Sequence, residues 1–552
     1  SQQTLSMFRH RILLGMAFLG VSIMVLYPSA TMAAAASHLQ QPASVGIFAN
    51  GSPTKLSSPT SFQPPSILLK KDTAREFVRL EKTDVGTSKA ESVGDFVVGP
   101  GKSESSRFTI PAQLQTAEPS ATPGFRVVPK TGVIFVSEKA EQYGWYAGNP
   151  EWSNLGQGMP ETGDIKDAPA RIDTVVFDDK LREYAPVPGI MELRKAVADF
   201  YNDVYRKNKE SKYTAQNVCI VGGGRLALAR LAASLGNVNI GHVIPDYTAY
   251  EELLTVFRTF TPIPLLLDRE QGFKINAKEL RKEINGRGLS ALLFSNPNNP
   301  TGALTEGPDL SACVDVARDM GCSLIIDEIY SHYIWTVDSG VGDQTWKMVS
   351  AAQYVQDVNK DPVVILDGLT KNWRLPGWRC CWILGPADVI QSVSATGSFM
   401  DGGASGAICR AALPLLKPEY VIQDCKALQK EFLAKRRYLM DECSALGIEV
   451  DAPPTGSFYL WCNVRGLPPP LNDGMSFLEE ALKEKVIIVP GIFFDVNPGR
   501  RRPKLASNYA TYIRLSFGPS REELQRGMAA LRRVIAKHSS PAEPRAPPGQ
   551  AL

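Results

Sequence analysis

The sequence predicts an α/β protein in which a large region with a mostly parallel sheet, flanked by helices, is followed by a smaller α+β region. Three observations predict it. Short apolar runs at 263–267, 291–294, 324–326 and 363–366 alternate with stretches of helical periodicity at 277–284 and 310–320, the pattern of βαβ units. Two of those runs break directly into polar loops, SNPNNPTG at 295–302 and DEIY at 327–330, as strands do where a parallel sheet presents its site. After about residue 400 the pattern changes: a long helical stretch, 419–444, precedes a mixture of strand and helix at 456–464, 476–484, 486–489 and 512–517.

With 552 residues the chain is too long for one core, so two domains with appendages are expected. The divisions are placed at 1–123 (leader and disordered extension), 124–165 (an arm and the start of the small domain), 166–400 (large domain), 401–538 (small domain) and 539–552 (tail). Sixty basic against 57 acidic residues give no argument for nucleic acid as a partner. The nine cysteines all follow residue 218 without a CxxC pair, which suits a reduced compartment, and the five histidines lack metal-ligand spacing; no metal is expected. Near the start, Arg9-His10-Arg11 precedes the uncharged run 12–27 and then small residues to Ala33, a signal-like layout. No Asp or Glu occurs before Asp72, and 37–66 is rich in Ser and Pro. A bipartite plastid leader, cleaved after Ala33, is the favoured expectation. The secretory pathway, a mitochondrion or a short membrane anchor, if the leader stays uncleaved, are the rivals.

Taken in order, WSNLGQGMPETGDI (152–165) reads as a turn-rich surface segment. Pro188-Gly189 makes a turn, after which Ile190, Leu193, Val197 and Phe200 recur at helical spacing. A strand at 218–221 runs into Gly222-Gly223-Gly224 and a helix at 226–235. Strand, glycines and helix together form a cradle for an anion, because amide N–H groups and the positive helix end face it. Gly222-x-Gly224-x-x-Ala227 with Asp246 downstream also fits a dinucleotide fingerprint, so a nicotinamide-dependent dehydrogenase is a competing reading. HVIPDYTAY (242–250) puts Tyr247 at a strand end. Asn299 is an amide held by a flanking proline, and Asp327 is a carboxylate at the end of a buried strand, which is costly unless paired. Its neighbour Glu328 is the alternative carboxylate.

Lys371 lies in LDGLTKNWRLPGWRCCWILGP (366–386), between an apolar run ending at Leu366 and a second beginning at Trp378. Burial there disfavours the ammonium and frees the amine as nucleophile or base. Thr370 offers a hydroxyl beside it. Arg379, eight residues on, presents a planar fork suited to phosphate, with Arg374 as the rival. Arg514 sits in YIRLSFG (512–518) between apolar neighbours, where an arginine is ordinarily a rim residue.

The GLTKNWRLPGWR segment, SNPNNPTG, IIDEIY and YIRLSFG, in this order, resemble the signatures of the class I/II aminotransferases, the fold type I pyridoxal-phosphate enzymes; the resemblance spans about 124–537. It implies pyridoxal 5'-phosphate held as a Schiff base on Lys371, with Gly223, Gly224, Arg225, Thr370 and Arg379 about the phosphate. It implies Tyr247 stacked on the ring, Asp327 at the ring nitrogen, and Asn299 and Tyr330 at the phenolic oxygen. Gly158 would lie against the substrate and Arg514 would clamp its α-carboxylate. The Y-x-P-x-x-G-x-x-x-L-R pattern places Tyr184 at the neighbouring subunit's phosphate, hence a homodimer. The implied reaction is transfer of an amino group between an α-amino acid and a 2-oxo acid. A lyase or cyclopropane-forming synthase with the same cofactor is an alternative, as is a non-catalytic sensor domain. Gly368 stands where some members have a phosphate-binding serine.

Overall fold

The computed structural model describes residues 122–125, 127, 128, 130, 132–336, 346–503 and 507–539. The expectations for the leader and for the acid-free segment behind it fall outside these residues. Ser539, expected to open the tail, instead ends the last helix, Arg521–Ser539; the remaining tail positions lie outside the described residues.

Thirteen strands form three sheets among the described residues. They are β1 (Ser153–Asn154), β2 (Val218–Val221), β3 (Asn239–Ile244), β4 (Thr261–Leu266), β5 (Leu289–Ser295), β6 (Ser323–Asp327), β7 (Val363–Gly368), β8 (Cys381–Leu384), β9 (Glu449–Val450), β10 (Tyr459–Asn463), β11 (Val486–Ile487), β12 (Val489–Pro490) and β13 (Tyr512–Ser516). The largest sheet has the order β2-β8-β7-β6-β5-β3-β4. All its pairings are parallel except the two made by β8, which is antiparallel to both β7 and β2. Because β8 alone is reversed, β2 points the same way as the parallel strands, and all of their C-terminal ends share one edge.

The sheet reads as continuous apolar runs because helices cover both faces. Leu292, Phe294, Leu324, Ile326, Val363 and Ile365 pack with Leu193, Val197 and Phe200 of helix Met191–Tyr205 and with Leu310 and Val314 of helix Gly307–Met320. The alternate residues Ala291, Leu293, Ile325, Val364 and Leu366 pack with Leu228 and Leu231 of helix Gly224–Ser234 and Leu254 of helix Ala249–Val256. That alternation is the two-residue period of a strand carried through the whole layer.

The smaller antiparallel sheet, β12-β13-β10-β9, shares its core with helices Pro418–Ala445, Gly474–Lys483 and Arg521–Ser539. Early residues join the same core: Val136 of helix Gly132–Glu141 and Leu155, just beyond β1, are buried in it, and β1 pairs with β11. Local differences from the sequence reading have simple causes. The strand after Lys371 begins at Cys381 and not at Trp378, because Pro376–Trp378 forms a 3-10 turn and Arg379 adopts φ 52. Ile190 precedes its helix as the cap residue. The run at 486–489 splits in two: β11 pairs with β1 and β12 with β13. All nine cysteines are buried and none is in a disulfide.

Candidate active site

Each strand end at the shared edge delivers chemistry. β6 ends on Asp327, β5 runs into Ser295 to Asn299, β3 into Asp246 and Tyr247, β2 into Gly223, Gly224 and Arg225, and β7 into Thr370 and Lys371. Arg379 stands at the start of the reversed β8. From the smaller sheet come Tyr459 on β10 and Arg514 on β13, directly across from Trp461 and Val489. Between the two lies a cavity of about 890 Å³, lined by Gly158, Gly224, Arg225, Tyr247, Asn299, Asp327, Tyr330, Thr370, Lys371, Arg379 and Arg514. Gly223 lies immediately behind Arg379. Of the expected site residues, Tyr184 alone is elsewhere, 98% exposed on the surface.

Lys371 reaches the cavity with an amine enclosed by protein on most sides, donating to the carbonyl of Gly158. Burial, with the nearby charges of Arg225, Arg514 and Arg379 adding to it, holds the ammonium down to about 8. Asp327 is buried at the cavity wall: its Oδ2 accepts from the Tyr250 hydroxyl at 3.1 Å and Oδ1 from the Ile329 N–H at 3.3 Å. Burial lifts its carboxyl to about 6 against those two hydrogen bonds and the charge of Lys371.

At the other end, Gly223 has φ 111 and ψ 158, and a Cβ there would lie 1.9 Å from Nη2 of Arg379. Only glycine therefore lets the guanidinium lie over the loop. Arg225 donates from Nε to the Tyr247 hydroxyl at 3.2 Å, and Thr370 Oγ1 is 3.2 Å from Cys381 Sγ. Gly368 is fixed by packing, since a Cβ would fall 2.5 Å from the Cα of Cys381 across the β7–β8 pair; no serine fits there. Helix Gly224–Ser234 starts in the cradle with its first N–H groups free of intrahelical partners, an arrangement that attracts anions.

Arg514 is 2% exposed and lies between the rings of Tyr459 and Phe494, at 4.1 and 4.8 Å. Its Nη1 donates to Asn299 Oδ1 and its Nη2 to the Gly156 carbonyl, each at 2.7 Å, while Nε is buried without a partner. Asn299 Nδ2 is 3.4 Å from the Tyr330 hydroxyl, which lies 2.9 Å from that of Tyr459. Burial pushes the Tyr330 phenol well up.

Two rivals drop out on geometry. Arg374 is buried away from the cavity, donating to the Gly163 carbonyl at 2.6 Å and lying 3.6 Å from Asp424; it neither faces solvent nor lines the cavity beside Arg379. Glu328 turns into the protein, where its Oε1 accepts from the Ala351 N–H at 2.7 Å. The dinucleotide reading fails as well. β2 is an edge strand beside a reversed neighbour, and Asp246 is buried, accepting from the N–H groups of Tyr247 and Ser295 at 2.7 and 3.1 Å. Asp246 is therefore not free to bind a ribose. Sequence reasoning gave no role to Tyr250 and Tyr459, which touch Asp327 and Tyr330. Tyr250 closes the HVIPDYTAY motif, so its signal was present; Tyr459 had none.

The sequence profile of the family described as Aminotransferase class I and II matches residues 150–531. The aspartate aminotransferase of Pyrococcus horikoshii is 25% identical over 388 residues, which span 69% of this chain and 90% of that protein. The aromatic-amino-acid aminotransferase 2 of Thermococcus litoralis is 24% identical over 391 residues, 69% and 91% of the two chains. Among solved structures, the Thermus thermophilus aspartate aminotransferase with maleate shares the fold at a TM-score of 0.59 and 22% identity, covering 77% of this chain and all of that one. The match favours amino-group transfer over the lyase and dehydrogenase alternatives. A match over more than half its length, joined to this fold, means that the chain belongs to the class I and II aminotransferases, enzymes of pyridoxal-phosphate-dependent amino-group transfer.

Proposed function

We propose that the cavity holds pyridoxal 5'-phosphate and serves transfer of an amino group between an α-amino acid and a 2-oxo acid. The donor set fits the group at each end. Arg379, the amides at Gly223 and Gly224, and the Thr370 hydroxyl suit a phosphate dianion, while Asp327 is a buried carboxylate without an ion pair among the described residues, a partner for a protonated ring nitrogen. When bound, the cofactor supplies a carbonyl carbon that takes up the amino group and a ring that accepts the electron pair released at the substrate Cα.

The observation that carries the reading is the shared cavity of Lys371 and Asp327, closed by Arg379 at one end and Arg514 at the other. Held near 8, the Lys371 amine has a substantial neutral fraction at neutral pH. It is placed to hold the cofactor covalently and then, released by the substrate amine, to move the proton at Cα. Asp327 would keep positive charge on the ring nitrogen. Asn299 and Tyr330 offer donors to the phenolic oxygen, and Arg514 offers its fork to the α-carboxylate. Mixing cofactor-loaded protein with single amino acids, without any oxo acid, tests this: the bound cofactor should pass to its amine form in one half-reaction. Release of ammonia with no amine form of the cofactor would replace transfer by elimination.

The working unit under this reading is a homodimer. Tyr184 is supported in that role by its exposure and by other exposed apolar side chains, Val176 at 71%, Phe177 at 57% and Phe399 at 75%. Mixing inactive Tyr184→Phe and Lys371→Ala proteins should restore activity through hybrid dimers; an active species that sediments as a monomer would end the idea.

A further inference from the structure

The cavity has a wall that the cofactor and the α-carboxylate leave unused. Helix Gly132–Glu141 contributes Val133, Ile134 and Ser137 to it, and Trp145 follows just beyond the helix end. The helix is held beside the substrate arginine. Gly132 packs so closely on Thr248 that a Cβ would lie 2.6 Å from its Oγ1. Phe135 packs against Phe493 with ring centroids 5.2 Å apart, and the adjoining Phe494 lies 4.8 Å from the Arg514 guanidinium. This wall, with Val133, Ile134 and Trp145, thus lines the same cavity as Arg514.

Its chemistry is apolar. Ile134 remains 52% exposed although it faces the cavity, so an apolar substrate side chain would cover surface that is otherwise wet. The cations lining the cavity are Lys130, Arg225, Lys371, Arg379 and Arg514. The last four have their places in the site, and Lys130 is paired with Glu138. The lining carboxylate other than Asp327 is Glu252, whose Oε2 is buried without a donor and whose Oε1 lies 3.8 Å from Arg500. Among the described residues of one chain, a second carboxylate on the substrate would thus meet Glu252 and no lining cation beyond these five.

Resting on the transaminase reading of the site, we propose that the substrate side chain lies against Val133, Ile134 and Trp145, and that the enzyme takes amino acids with apolar or aromatic side chains in preference to dicarboxylic ones. In the half-reaction of cofactor-loaded enzyme, L-phenylalanine and L-leucine should then exceed L-aspartate and L-glutamate in kcat/KM by about tenfold or more, the scale of side-chain discrimination in such pockets. Ile134→Lys, at a half-exposed position that tolerates a polar residue, should shift the phenylalanine-to-aspartate ratio toward aspartate by about tenfold. A second readout needs no turnover: 3-phenylpropanoate should bind the loaded enzyme more tightly than maleate. Faster conversion by aspartate, tighter maleate binding, or an unchanged ratio in Ile134→Lys would each overturn the proposal. If no amino acid of either class converts the cofactor, the transfer reading fails by itself, and the two carboxylate titrations still decide the side-chain class.

Discussion

Replacing Gly223 with alanine separates the scaffold from the cofactor site in one experiment. Gly223 adopts φ 111 and ψ 158, a region visited essentially by glycine alone, so a side chain there costs roughly 1–3 kcal/mol of strain. The new Cβ would also stand 1.9 Å from Arg379 Nη2. Arg379 is exposed and can swing outward, so the fold survives while the guanidinium leaves the cradle. If Arg379 holds the phosphate, what is lost is a charge-assisted hydrogen bond of net ~1.5–3 kcal/mol, or about 10- to 150-fold in cofactor affinity. Denaturant unfolding of the cofactor-free protein measures the strain, and titration with pyridoxal phosphate followed by visible absorbance measures the affinity. Gly224→Ala is the stability control: a Cβ there meets nothing within 4 Å, so unfolding should change by less than ~1 kcal/mol. A folded Gly223→Ala protein that binds pyridoxal phosphate as tightly as the parent would refute the assignment of Arg379 to phosphate.

Further outcomes follow from the same geometry. Lys371→Ala should abolish the pH-dependent visible band of bound cofactor, and a band surviving in absorbance spectra would remove Lys371 from its role. Burial lowers the Lys371 pKa, and only the neutral amine attacks, so the rate of covalent cofactor attachment should climb with pH and level off above about 8; stopped-flow absorbance reads the plateau. An ordinary lysine would keep climbing toward ~10.4. Arg514→Ala should weaken amino-acid binding by roughly 2–5 kcal/mol, with a smaller loss of cofactor affinity, on the scale of one hydrogen bond, because the Asn299 amide loses the partner that orients it. Arg374→Ala should destabilise the fold, by roughly 3–5 kcal/mol less whatever Arg171 restores, because it leaves the Asp424 carboxylate buried with its main counter-charge gone; chemical denaturation measures it.

The large sheet was legible because its signal is local. Runs such as Ala291 to Phe294 and Leu324 to Ile326 are apolar at every position, which only a sheet covered on both faces requires. The site residues at its edge were legible for a related reason: a strand that stops on Asp327 or runs into Asn299 must spend a polar group where burial is costly. Contacts made between distant segments were not legible. Arg374 and Arg379 occupy the same loop and carry the same charge. What separates them is Gly163 and Asp424 on one side and the bare backbone of Gly223 on the other, and neither neighbour is near in sequence. Helix Gly132–Glu141 was missed because its buried face joins a core built mostly from residues three hundred positions later, so its own pattern is short.

Asn299 shows how the two sheets make one site. A guanidinium has donors only, so the amide oxygen of Asn299 must face Arg514 Nη1, 2.7 Å away, and the amide NH₂ is thereby turned toward Tyr330. The backbone of Asn299 is held separately by the larger sheet: its N–H donates to Ser295 Oγ at 3.1 Å, and the Ser295 hydroxyl donates in turn to the buried Asp246. Position therefore comes from β5 and orientation from β13. Without Arg514 the amide would have no electrostatic reason to prefer one flip, and in the other flip it would point an acceptor where the cofactor's phenolic oxygen requires a donor. If Arg514 receives the substrate carboxylate as proposed, the same arginine also orients the Asn299 amide, and the candidate site is complete only where the two sheets meet.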